Sequence, residues 1–81
     1  MGTGDKATLW VRAEWDAEAQ YWYVADSNVA GLATGAATVP ELIERLHAII
    51  PELIELNALS IPAGAYLDLD AHYSQPMRLT A

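Results

Sequence analysis

The stretch from Leu9 to Asn57, LWVRAEWDAEAQYWYVADSNVAGLATGAATVPELIERLHAIIPELIELN, decides the fold. Its first part alternates: Leu9, Val11, Ala13 and Trp15 against Trp10, Arg12 and Glu14, the period-2 pattern of a half-buried strand over residues 8–15. Asp16-Ala17-Glu18-Ala19 is polar enough to turn. Gln20 to Asp26 returns with Tyr21, Trp22, Tyr23 and Val24, residues that favour strands. A loop of those four residues places Trp15 opposite Gln20, Ala13 opposite Trp22 and Val11 opposite Val24. Trp22 and Val24 then join Leu9, Val11, Ala13 and Trp15 on the core side. Trp10, Arg12, Glu14, Tyr21 and Tyr23 are left outside. A one-residue change of loop length reverses the second strand, so the assignment is sensitive to that loop.

Ser27-Asn28 signals a turn. Val29 to Ala36 supplies a third short strand, with Gly31 marking a bend or close approach. Thr38-Val39-Pro40-Glu41 then opens a helix. The Thr38 hydroxyl can cap it, Glu41 can reach back, and Pro40 falls in the first turn, where its missing N–H costs nothing. Val39, Leu42, Ile43, Leu46, Ile49, Ile50, Leu53, Ile54 and Leu56 form one apolar stripe about 160° wide at roughly 100° per residue. Pro51 lies inside the pattern on the solvent side. Because the periodicity continues in phase, one bent helix ending near Asn57 is expected, with a break at Ile50 as the alternative.

Ala58 to Gly64 reads as a connection. Ala65 to Tyr73 alternates Ala65, Leu67, Leu69, Ala71 and Tyr73 against Tyr66, Asp68, Asp70 and His72, a fourth strand with one wet face. Residues 74–81 fray, although Met77 and Leu79 can extend the edge. The expected fold class is α/β (α+β): a two-layer sheet-and-helix domain in the order β-β-β-α-β, with an ordered core over about residues 8–73.

Eighty-one residues make one domain, 1–81. So short a chain buries roughly 60–65% of its unfolded surface, which limits its stability. An apolar content of 53% argues against disorder. Without cysteine, disulfides and thiolate metal sites are excluded. The first six residues do not read as a secretory signal, and no segment approaches a membrane span. A cytoplasmic location is the default expectation. Eleven acidic and four basic residues give a net charge of −7, which disfavours direct DNA or RNA binding and suits a basic partner or simple solubility.

The order and the short motifs together resemble the HicB-like superfamily, and within it a small bacterial family of short stand-alone proteins of unknown function. Val11-Arg12-Ala13-Glu14-Trp15-Asp16 and Trp22-Tyr23-Val24-Ala25 carry the likeness on the first two strands. Val29-Ala30-Gly31-Leu32 resembles the superfamily's pro-gly-leu corner, with alanine where proline is usual. The helix, including Ile50-Pro51-Glu52-Leu53, continues it; beyond Asn57 it weakens. The resemblance implies a partial RNase H-like fold with a fourth strand parallel to the first. It also implies an antitoxin domain that masks HicA, a small basic RNA-cleaving toxin. Full-length members bind operator DNA through a separate C-terminal segment. No such segment is readable after Tyr73, so DNA binding is not expected to carry over.

Trp10, Arg12, Glu14, Tyr21, Tyr23, Tyr66, Asp68, Asp70 and His72 should share the outer sheet face. A sheet with one helix leaves that face uncovered, and its aromatic content suggests an interface. The plainer reading is that one or two of the aromatics wrap over the core edge. Homodimerisation through this face is the first expectation. The broader one is a non-catalytic protein-binding module, with a stand-alone homodimeric structural or regulatory protein as the alternative. Asp68, Asp70 and Glu14 invite comparison with an RNase H two-metal site, but solubilising charge is the simpler account. His47 and His72 lack second ligands at useful spacing, and Ser27, Thr34 and Thr38 lack a His/Asp pattern. No catalytic residue, metal or cofactor is therefore expected. The acidic helix face of Glu41, Glu44, Glu52 and Glu55 is either solvated or a further surface for a basic partner.

Overall fold

A computed structural model describes residues 8–57 and 64–79; the N-terminal residues and most of the expected connection from Ala58 to Gly64 lie outside the described part. The elements are β1 (Thr8–Asp16), β2 (Tyr21–Ser27), β3 (Gly35–Ala36), α1 (Val39–Leu56) and β4 (Tyr66–His72). They form a mixed four-stranded sheet in the order β3-β2-β1-β4, with β1 antiparallel to β2 and parallel to β4. This is the expected α+β, β-β-β-α-β architecture.

The β1–β2 turn occupies residues 17–20. The Asp16 carboxylate accepts the N–H groups of Glu18 and Ala19, and Gln20 takes φ 57° while its N–H donates to the Asp16 carbonyl. The register differs from expectation: Trp15 faces Trp22 and Ala13 faces Val24. The slip is two residues, so every side chain keeps its face. A bulge between Arg12 and Ala13 then brings Arg12 opposite Asp26 and Val11 opposite Ser27.

The third strand is shorter than the expected Val29–Ala36. Gly31 at φ 81° and a bond from the Leu32 N–H to the Val29 carbonyl make a turn there, which leaves only Gly35–Ala36 paired with β2. Val29 still enters the core, from the loop. A Cβ at Gly35 would lie 2.5 Å from the Trp22 carbonyl oxygen and closer still to the Tyr21 ring, so the two strands meet only because a glycine stands at this position.

The helix starts as its capping residues dictate, with the Thr38 hydroxyl accepting the Glu41 N–H at 3.2 Å. Glu41 does not complete the reciprocal box; its carboxylate lies 3.7 Å from Arg45 one turn on. Helix α1 is continuous through Pro51, which is exposed, and Asn57 ends it. Leu42, Leu46 and Ile50 are buried against Val11, Ala13, Val29 and Ala36. Leu56, expected on the stripe, is 80% exposed at the helix end. Among the described residues no polar side chain is buried, so the core is held by apolar burial alone.

Candidate functional site

The helix covers one side of the sheet. The other side is built from the even-numbered residues of β1 and β4 and the odd-numbered ones of β2 before the bulge. The pairings set out its rows: Tyr23–Glu14–His72, Asp26–Arg12–Asp70, and Trp10 beside Asp68. Tyr21 lies beside Asp16, and Tyr66 beside Thr8. The expected outer-face residues are thus brought together on one surface. Trp10 is 40% exposed, Tyr21 38% and Tyr66 57%, while Tyr23 and Glu14 are half-buried.

The centre of the face is charged. The Arg12 guanidinium lies 3.3 Å from the Glu14 carboxylate, with both side chains partly in water. A shallow hollow there is lined by Arg12, Glu14, Asp70 and His72. Glu14, Asp16, Asp26, Asp68 and Asp70 surround Arg12, the only Lys or Arg that the strands themselves place on this face. The carboxylates do not converge as a two-metal site would require: Asp68 stands opposite Trp10 and Asp70 opposite Arg12. Among the described residues no group of three His, Asp or Glu side chains is arranged to hold a metal ion. The chemistry this face offers is aromatic contact area in an acidic field, which suits recognition of a basic surface.

Two features of the opposite side were missed by sequence reasoning. Trp15, Trp22 and Tyr73 form an aromatic cluster, with Trp15 5.4 Å from Trp22 and 5.6 Å from Tyr73 between ring centroids. The Trp15 indole N–H also donates to the Gln75 side-chain oxygen at 3.0 Å. Alternation past the expected strand end was the signal for this contact. Secondly, Leu9, Leu46, Ile50, Ile54 and Leu67 line an apolar hollow between α1 and the start of β4. His47 stands at its rim, exposed.

Residues 8–81 match the family model described as a domain of unknown function, DUF1902, and the chain belongs to that family. It is similar to the crystal structure of the hypothetical protein TTHA1013 from the extremely thermophilic bacterium Thermus thermophilus. The two share 41% identity with a TM-score of 0.63, over 89% of this chain and 99% of that one. No curated protein matches. Among the described residues no helix is long and apolar enough to cross a membrane.

Proposed function

We propose that this member of the DUF1902 family is a non-catalytic protein-binding module that uses its outer sheet face to mask a small basic partner. In the most specific form it is a HicB-like antitoxin domain acting in the cytoplasm against a HicA-like RNA-cleaving toxin. One observation carries the reading: a sheet face that no described residue covers displays Trp10, Tyr21, Tyr23 and Tyr66 among five carboxylates and one arginine. Aromatic side chains supply contact area at low entropic cost, and the acidic field speeds encounter with a cationic surface. The parallel pairing of β4 with β1 agrees with the arrangement that the HicB resemblance implies. Association of two copies through this same face would set carboxylates against carboxylates, so the face is read as a surface for a partner of opposite charge.

The test is the small basic protein encoded beside this gene, purified and titrated by calorimetry. Saturable binding, weakened at least about tenfold by Trp10→Ala with Tyr21→Ala, is expected, together with loss of the partner's RNA cleavage in the complex. Binding unaffected by those substitutions, or a gene neighbourhood without such a protein, would overturn the reading.

A further inference from the structure

The geometry points to a second interface, independent of the outer face: the chain pairs with a second copy of itself along β4, each copy laying residues 73–79 against the partner's residues 67–73. The argument starts from where the backbone polar groups of β4 point. The Trp10 N–H donates to the Asn28 side-chain oxygen, and the Trp10 carbonyl accepts from the Asn28 N–H. The Thr8 carbonyl accepts from the Asn28 side-chain amide. Even-numbered residues at the start of β1 therefore direct their backbone toward β2, and odd-numbered ones toward β4. In the parallel ladder, Leu9 pairs with Leu67 and Val11 with Leu69. The partners of an odd β1 residue's backbone are then the even residues of β4. The odd residues Leu67, Leu69 and Ala71 point their N–H and carbonyl groups out along the edge of the sheet that no described strand occupies, since β4 ends the strand order.

The chain after β4 continues that edge. Residues 73–79 run on without a turn or bend, and all are exposed. Tyr73 and Gln75 both reach Trp15 on the helix side of the sheet, so the alternation of β4 persists past its end. It places Met77 and Leu79, 78% and 83% exposed, on that same apolar side.

An antiparallel pair with Tyr73 opposite its own copy satisfies each of these residues. Leu79 falls opposite Leu67, Met77 opposite Leu69 and Gln75 opposite Ala71, all on the helix side. Leu79 arrives beside the apolar hollow lined by Leu9, Leu46, Ile50, Ile54 and Leu67. Within one chain the arm leads away from that hollow, because β4 separates them by roughly 20 Å at about 3.3 Å per residue. On the other side of the ladder Arg78 falls opposite Asp68, and as a non-hydrogen-bonded pair their side chains approach closely. Pro76, which has no N–H, also falls in a non-hydrogen-bonded position, where the ladder does not require one. The two-fold axis is perpendicular to the sheet, so both helices share one side, and both outer faces, apart from Asp68 at their edge, remain available on the other.

Sedimentation of the full chain should show a dimer at micromolar concentration; a monomer at high micromolar concentration would overturn the proposal. The chain has no cysteine, so a single introduced thiol reports unambiguously. Oxidised Tyr73→Cys should give a covalent dimer, since Cα atoms of a hydrogen-bonded pair stand about 5.5 Å apart. Trp10→Cys should not, and the opposite pattern would place the contact on the outer face and sink the proposal. Arg78→Glu should weaken the dimer on the order of tenfold, and Asp68→Arg in the same chain should restore it. Failure of that restoration would also count against the register. Trp10→Ala with Tyr21→Ala should leave the dimer unchanged, which separates this interface from the one used for a basic partner.

Discussion

Asn28 does more than turn the chain. Its side-chain amide bonds to the Trp10 N–H at 2.9 Å and the Thr8 carbonyl at 3.0 Å, and its own N–H donates to the Trp10 carbonyl. One residue thereby extends the ladder beyond the last paired residue of β2. Asn28→Ala removes two of those bonds and should cost about 1–3 kcal/mol in urea unfolding. Asn28→Asp keeps only the acceptor and should lie between. Gly35 is constrained differently. A methyl group there meets the Trp22 carbonyl oxygen and the Tyr21 ring, so Gly35→Ala should destabilise by about 1–3 kcal/mol and displace Tyr21 on the outer face. A Tm equal to that of the unsubstituted protein would show that β3 can move aside freely. Neither role was readable beforehand. Asn28 resembled any turn asparagine, and Gly35 lay unremarked in the expected third strand, until an earlier strand came to lie beside each.

At the scale of elements, the helix cap and the helix interior make opposite predictions. Thr38→Ala removes the hydroxyl that accepts the Glu41 N–H and should cost about 1 kcal/mol. Pro51 is exposed within a continuous helix and withholds one N–H, so Pro51→Ala should raise stability by about 1–3 kcal/mol, measurable as a higher urea midpoint with unchanged slope. Both depend on local chemistry, which is why Thr38, Pro40 and the apolar stripe placed the helix from sequence almost to the residue. The strands were legible to a different depth. Alternation identified β1, β2 and β4 and the face of each side chain, and the faces survived a two-residue error in register because side-chain direction has period two. The bulge after Arg12 and the shortness of β3 were hidden, since the first is a feature of the pairing between two strands and the second follows from the turn that Gly31 makes at positive φ.

At the scale of the molecule, the charge of the outer face is a surface property separable from stability. Asp70→Asn should leave the unfolding free energy within about 0.5 kcal/mol of the unsubstituted protein, because this aspartate is exposed. The same substitution should slow association with a cationic partner severalfold at low ionic strength and have little effect in molar salt. Stopped-flow mixing across a salt series distinguishes this from a loss of contact area. The outer-face residues were readable in advance because alternation assigns sides. Their mutual order was not, since which carboxylate neighbours Arg12 follows from pairing β1 with a strand more than fifty positions later.

That late pairing has a consequence for synthesis. The central strand leaves the ribosome early, and its hairpin and helix can assemble behind it, but its second neighbour is supplied only by residues 66–72. Until those residues are released from the exit tunnel, one flank of the middle of the sheet stays open to other nascent chains and to proteases. Translation halted before that point should yield chains cleared by quality control.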